Sequence, residues 1–196
     1  ELFDYFKILD IKKSSHERAI TSAYQVQEIF QQKLYELGQQ SLKILEETHE
    51  MAVILVGRAY NVNDRGINLN IPNKLREYYG VNVIPMDMID CSAIDISDVN
   101  NNMFWNSGRK ILQISKFIRD KPDLHLIYIT NFKCGPDSYI KHFVVDASKK
   151  PFLTLQLDGH ANDAGVVTRC EAYLDSKSFF KSDLSVTYKF EMEKCD

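Results

Sequence analysis

His125-Leu-Ile-Tyr-Ile-Thr130-Asn-Phe-Lys-Cys134-Gly-Pro-Asp-Ser138 reads as a strand, a polar turn and the opening of a helix. Leu124–Thr130 is almost continuously apolar, which predicts a strand buried on both faces. Pro136 fits the first turn of a helix that runs on to Ser148. Cys134 therefore falls at the carboxyl edge of a strand, just ahead of a helix N-terminus. There the helix dipole and free backbone N–H groups favour the thiolate, the form that ligates iron or attacks an electrophile. Gly135 and Pro136 are expected to shape a tight turn that presents the thiol at the strand edge.

The same grammar repeats on either side. Met51-Ala-Val-Ile-Leu-Val56 is an apolar run ended by Gly57, again a strand buried on both faces. A loop from Arg58 to Asn70 leads to a helix near Ile71–Tyr79, stopped by Gly80. Val81–Pro85 is a second strand. Met86 to Asn102 is polar and irregular, and Phe104–Arg119 is a helix with Ile111, Leu112, Ser115 and Ile118 on one stripe. Pro151–Leu157 is a fourth strand, and Asp163–Leu174 the last clear helix. Four alternations of strand and helix predict an α/β fold: a flavodoxin-like or Rossmann-like parallel sheet of about four strands with flanking helices. Right-handed crossovers are expected; the strand order is not directly readable, and the flavodoxin-like 2-1-3-4 is taken as a guess, with every suspicious loop gathered at the carboxyl ends of the strands.

Three regions follow. Residues 1–50 form a long helical arm or connector, residues 51–176 a three-layer α/β domain, and residues 177–196 a tail. Ser14-Ser-His-Glu17 has the form of a capping box, and Ile20, Tyr24, Phe30, Leu34 and Leu37 return at helical spacing. Gly38 is expected to break or bend the run. The arm either packs on its own domain or connects to a missing one. In the tail, Leu184–Phe190 alternates and suggests an edge strand.

Composition narrows the functional classes. A net charge of −3 with no basic block gives no support to nucleic-acid binding. No run of about 18 apolar residues is present, so no membrane span is predicted. Cys91, Cys134, Cys170 and Cys195 include no pair at CxxC spacing, which excludes a locally written zinc ribbon or redox dithiol. So few cysteines point to a reducing, cytoplasmic setting. The first residue is Glu1, and a fragment of a longer protein is expected.

Three loops carry candidate chemistry. The first, Gly57-Arg-Ala-Tyr-Asn-Val-Asn-Asp-Arg-Gly66-Ile-Asn-Leu-Asn-Ile-Pro72, lacks both a P-loop and a GxGxxG cradle. Arg58, Asn61 and Arg65 beside a strand end could hold an anionic ligand; equally, the loop could be held by its own Asn hydrogen bonds. The second holds Cys134, either as a ligand or reactive thiol or as an inert buried cysteine. A nucleophile would need a partnered histidine, and His142 lies two turns along the same helix. The third, Asp158-Gly-His160-Ala-Asn-Asp163, places two carboxylates and an imidazole after a strand. It suits a helix cap at Asn162 or Asp163 with an interaction loop, a proton-transfer pair or a weak metal site. Arg169 and Glu171 either pair or face solvent. Cys170 falls on an apolar helix stripe and is expected in the core. Cys91 lies in a polar loop and Cys195 in the tail.

Gly57-Arg-Ala-Tyr-Asn61, Ile67-Asn-Leu-Asn-Ile-Pro72, Asn131-Phe-Lys-Cys-Gly-Pro-Asp-Ser138, and Leu153-Thr-Leu-Gln-Leu-Asp158 with Asp163-Ala-Gly-Val-Val-Thr-Arg169 form a linked set. The set resembles the large acyl-CoA dehydratase activase-related proteins, relatives of 2-hydroxyglutaryl-CoA dehydratase and of double-cubane cluster proteins, over about residues 51–176. The resemblance implies a domain of an ATP-dependent iron–sulfur reductase or dehydratase-type protein, in which 4Fe-4S cubanes sit between flavodoxin-like domains. It implies Cys134 as the one metal ligand from this domain, with Gly135, Arg58 and Asn61 beside the cofactor and Asp158, His160 and Asp163 on a substrate or partner loop. The remaining ligands would come from other domains of the same polypeptide, so no cluster is expected in the isolated fragment. A homodimer and an acyl-CoA or other small substrate are further expected partners. Ala59 stands where the family commonly has Pro, Gly159 where it has Glu, and Cys170 where it has an aliphatic residue. The alternatives are a non-catalytic α/β protein-interaction module, docking through the Ser14–Glu50 arm, and an acyl-CoA or nucleotide phosphate-binding domain.

Overall fold

The computed structural model describes residues 2–159 and 163–180. His160, Asn162, the expected edge strand at Leu184–Phe190 and Cys195 lie outside them. A short helix α1 (Leu2–Tyr5) and a 3-10 turn (Phe6–Leu9) precede the long helix α2 (Lys13–Thr48). Then come β1 (Ala52–Gly57), α3 (Ala59–Asn63), α4 (Ile71–Tyr79), β2 (Asn82–Pro85) and a 3-10 turn (Met86–Met88). α5 (Asn106–Phe117), β3 (Leu124–Asn131), α6 (Gly135–Ser148), β4 (Leu153–Leu157) and α7 (Ala164–Ser176) complete the series.

The four strands form one sheet in the order β2-β1-β3-β4, and each adjacent pair is parallel. This is the order guessed from the fold type. All six β1 residues are buried, which explains why that strand does not alternate. On one face, Ile54, Val56, Leu126 and Tyr128 pack against Ile111, Leu112 and Ile114 of α5 and Ile140 and Val144 of α6. On the other, Val53, Leu55, Ile127, Ile129 and Leu155 meet Ile71 and Leu75 of α4 and Cys170 and Leu174 of α7.

The arm departs from its expected form in two ways. α2 is unbroken through Gly38, which is buried. A Cβ at position 38 would stand 1.8 Å from the Met88 carbonyl oxygen, so the glycine lets the 3-10 turn after β2 lie directly on the helix. The anticipated break is therefore a close-packing point. The capping box is absent as well: Lys12 is the N-cap and makes no side-chain bond, and Glu17 reaches Lys13 at 3.8 Å. Beyond Gly38, Leu45 is buried against the first core face, and Gln31 donates to the Asp87 carbonyl at 3.1 Å.

Two smaller corrections concern the loops. The Arg58–Asn70 segment contains helix α3, too short to show periodicity. Cys91, placed by sequence in a polar loop, is buried in the first core, its Sγ 3.7 Å from Gln113 Oε1. Among the described residues no helix is long and apolar enough to cross a membrane.

Candidate functional site at the strand-end rim

The carboxyl ends of parallel strands gather the loops at one rim. β1 hands over to Arg58, and β3 hands over to the turn that ends at Cys134, the N-cap of α6. Lys133, at φ 59°, takes the left-handed step in that turn, while a Cβ on Gly135 would meet open space. The turn therefore does not depend on Gly135 in the way the sequence suggested. Pro136 sits in the first helical turn, where its missing N–H is harmless. Cys134 is partly exposed, whereas Cys91 and Cys170 are buried.

Beneath the thiol lies a charged network. Arg58 Nε donates to Asp137 Oδ1 at 3.1 Å, and Thr130 Oγ1 donates to Asp137 Oδ2 at 2.6 Å. Burial works against the Arg58 charge, yet Asp137 and the neighbouring Cys134 outweigh it and raise the guanidinium above its ordinary pKa. Burial, reinforced by Asp137 and Cys134, likewise pushes the Tyr128 hydroxyl up and keeps it protonated. Asp137 fixes β3, the β1 loop and α6 to one another directly below Cys134.

Several buried polar atoms at the strand ends have no hydrogen-bond partner among the described residues: both amide atoms of Asn61, the Tyr128 hydroxyl and Asn131 Oδ1. Buried polar groups are normally paired, so this concentration marks the region as more than scaffold. Asn61 bonds Arg58 only through its backbone N–H, at 2.8 Å.

The rest of the first loop is held by its own side chains, one of the two readings left open by the sequence. Asp64 Oδ1 accepts from the N–H groups of Gly66 and Ile67, and Asn68 Nδ2 donates to the Val62 carbonyl. Arg65 is exposed. In the third loop, Asp158 borders an open groove of about 580 Å³ with Ile67, Asn131 and Phe132. Asp163 stands at the N-cap position of α7 but makes no cap bond; it pairs instead with Lys74 of α4. That hydrogen bond and the Lys74 charge hold its carboxyl below the usual range. Arg169 donates to the Thr154 carbonyl at 2.7 Å rather than to Glu171. Among the described residues, no three His, Cys, Asp or Glu side chains converge as a metal site.

Sequence reasoning passed over Asp137, Thr130 and Tyr128. The signal for Asp137 was an acid two residues into a helix, facing an arginine that ends the adjacent strand. It also missed an aromatic rim. Tyr60, Phe104, Phe132 and Tyr139 are exposed, and Trp105 at the N-cap of α5 packs edge-on to Tyr139 at 6.1 Å.

Fold and rim together define an α/β domain of parallel, flavodoxin-like strand order that presents one partly exposed cysteine at the strand ends. A family model described as the CoA enzyme activase uncharacterised domain matches residues 1–89. The match is consistent with an acyl-CoA dehydratase activase-related partial domain and supports a CoA enzyme activase-type function. It runs through the arm, β1, α3, α4 and β2, includes Arg58 and Asn61, and stops before the cysteine turn. Comparison with curated proteins and with solved structures gave no match.

Proposed function

We propose that this chain is the cluster-facing domain of an ATP-dependent iron–sulfur reductase or dehydratase-type protein, in which Cys134 supplies one thiolate. The observation that carries the reading is the position of Cys134: partly exposed, at the N-cap of α6, on the rim where the strands end.

The donor set fits a shared cubane and not a self-contained one. An iron–sulfur cluster needs several thiolates, and among the described residues this rim offers a single one. When bound, the cluster supplies low-potential one-electron transfer. Cys134 would hold one iron, and the remaining ligands would come from another domain of the same polypeptide. The chain's own residues orient and shield. Asp137 pins the turn through Thr130 and Arg58, and the Arg58 cation stands beside the sulfur. The exposed aromatic rings suit coverage by that second domain, which would exclude water from the sulfur.

The test is anaerobic iron and acid-labile sulfide analysis of the longer protein, wild type against Cys134→Ala. The expected result is loss of one cluster's iron with the fold retained; unchanged iron and sulfide would end the reading. The phosphate-binding alternative has less to work with, because the Arg58 guanidinium is already engaged by Asp137.

A further inference from the structure

One 3-10 turn, Met86–Met88, stands between the long helix α2 and the strand-end rim. The Met88 carbonyl lies against α2 at Gly38, too close to admit a Cβ. The Asp87 carbonyl accepts from Gln31 Nε2 of α2 at 3.1 Å. The Asp87 carboxylate accepts from Lys110 Nζ of α5 at 2.9 Å and from Asn63 Nδ2 of α3 at 3.0 Å. Lys110 Nζ also lies 6.0 Å from the centre of the Tyr35 ring of α2. Met86 is buried, and its Sδ accepts from the Gly57 N–H at 3.3 Å. Three consecutive residues thus hold α2 on one side and both ends of the Gly57–Asn63 segment on the other.

Arg58 lies within that segment. It is the N-cap of α3, and its Nε reaches Asp137 in the first turn of α6, whose N-cap is Cys134. A continuous run of short contacts therefore joins α2 to the cysteine turn. The seat of α2 leaves room for tilting. Residues 21–30 are all exposed and project from the body, about 15 Å of helix at 1.5 Å per residue. Further along, open grooves of about 260 and 540 Å³ both border Leu45. Close-packed interiors resist sliding. A helix beside unfilled space is held instead by the contacts beneath it, here Gln31, Gly38 and Leu45.

We infer that α2 acts as a lever on the cysteine turn. A change in its tilt moves the Met86–Met88 turn, which carries Gly57 and Asn63 with it. Through Arg58 that movement repositions Asp137 and the loop that ends at Cys134. Coupling of this kind is reciprocal, so the state of the rim also sets how firmly α2 is held. The lever regulates the site assigned above, yet it concerns the position of the turn and holds whether or not Cys134 binds iron.

Amide hydrogen exchange on the full chain, read by mass spectrometry, tests it. Gly38→Ala pushes the Met88 carbonyl off the helix, and Gln31→Ala releases the Asp87 carbonyl with less disturbance of packing. Both are expected to speed exchange in residues 57–64 and 131–138, on the far side of the turn, by about fivefold or more. Arg58→Ala should in return speed exchange in residues 31–42 of α2. Gln27→Ala, on the projecting part of the helix, should leave all these segments unchanged. Cys91 and Cys170 are buried and report global opening through iodoacetamide labelling. Faster exchange that appears only together with their labelling would count against the lever. Changes that stop at residues 84–90 in both α2 variants would overturn the inference, as would an Arg58→Ala effect confined to the rim.

Discussion

Arg58 Nε and Asp137 Oδ1 lie 3.1 Å apart across 79 residues of sequence, and this bond ties the end of β1 to the first turn of α6. The carboxylate is 2 % exposed and also accepts from Thr130. Removing the cation strands a buried charge, and a broken buried pair is costlier than its net contribution when intact. Arg58→Ala is expected to destabilise the chain by about 2–4 kcal/mol. Arg58→Lys should recover little, because one point charge does not reproduce the directed Nε–H donor. Urea unfolding of both variants measures this, and a loss near 0.5 kcal/mol or less would mean that solvent already screens the pair.

Gly38 offers a sharper sign test. Gly→Ala inside an exposed helix normally gains about 1 kcal/mol. Here the new Cβ would press on the Met88 carbonyl, a backbone atom that moves only with the whole 3-10 turn. Gly38→Ala is therefore expected to destabilise, by about 1–3 kcal/mol. Faster limited proteolysis after β2 should accompany the loss, because the turn is what yields. Gly57→Ala should behave alike: its Cβ would stand 2.4 Å from the Ile129 carbonyl oxygen. A stabilised Gly38→Ala would mean that α2 does not rest on the body as described.

How far the sequence could be read depended on whether the signal was local. The alternation of strand and helix was legible in runs such as Met51–Val56 and Leu124–Thr130, and Cys134 at a helix start was legible for the same reason. The order 2-1-3-4 was a guess from fold type, because the same alternation fits other orders. Gly38 was misread because its reason is tertiary: Met88 lies far along the chain, and a buried glycine spells the same as a helix breaker. Asp163 was misread as a cap because its partner, Lys74, comes from another helix. Asp137 was missed because its role exists only once β1 and β3 are neighbours. Cys91 looked polar by its neighbours, yet the loop folds inward and buries it.

Thiol reactivity separates the cysteines. Burial pushes the Cys170 thiol up to about 12, and burial raises Cys91 as well. Only the thiolate reacts with iodoacetamide, and only where the reagent can reach it. In a Cys195→Ser background at neutral pH, labelling by mass spectrometry should modify Cys134 first. Cys91 and Cys170 should react only on unfolding. Adding Asp137→Asn, which loosens the turn and alters the charge beside the sulfur, should change the rate at Cys134 alone. Equal rates at all three native thiols would remove the distinction on which the rim depends.

His125 should set the acid sensitivity of the fold. It lies on β3 with its ring 5.2 Å from that of Phe179, and its Nε2 has no hydrogen-bond partner among the described residues. Burial first, then Lys150 and Lys177, depress its pKa from 6.5 to about 4. The unfolded chain therefore binds a proton between those values that the native chain refuses. Stability is fully present above about pH 6.5 and is lost as pH falls toward 4, below which the loss levels off. The ring is half-buried, so about 1–2 kcal/mol is expected after solvent screening. The lowered carboxylates Asp4, Asp90, Asp95, Asp98 and Asp163 cost stability only as pH falls through about 5 and below, so the histidine is read most cleanly between about pH 5 and 6.5 and, below that, by comparison with the variant. His125→Leu should therefore flatten the melting temperature between pH 4 and 6.5 relative to wild type. Identical slopes in the two proteins would place the acid sensitivity elsewhere.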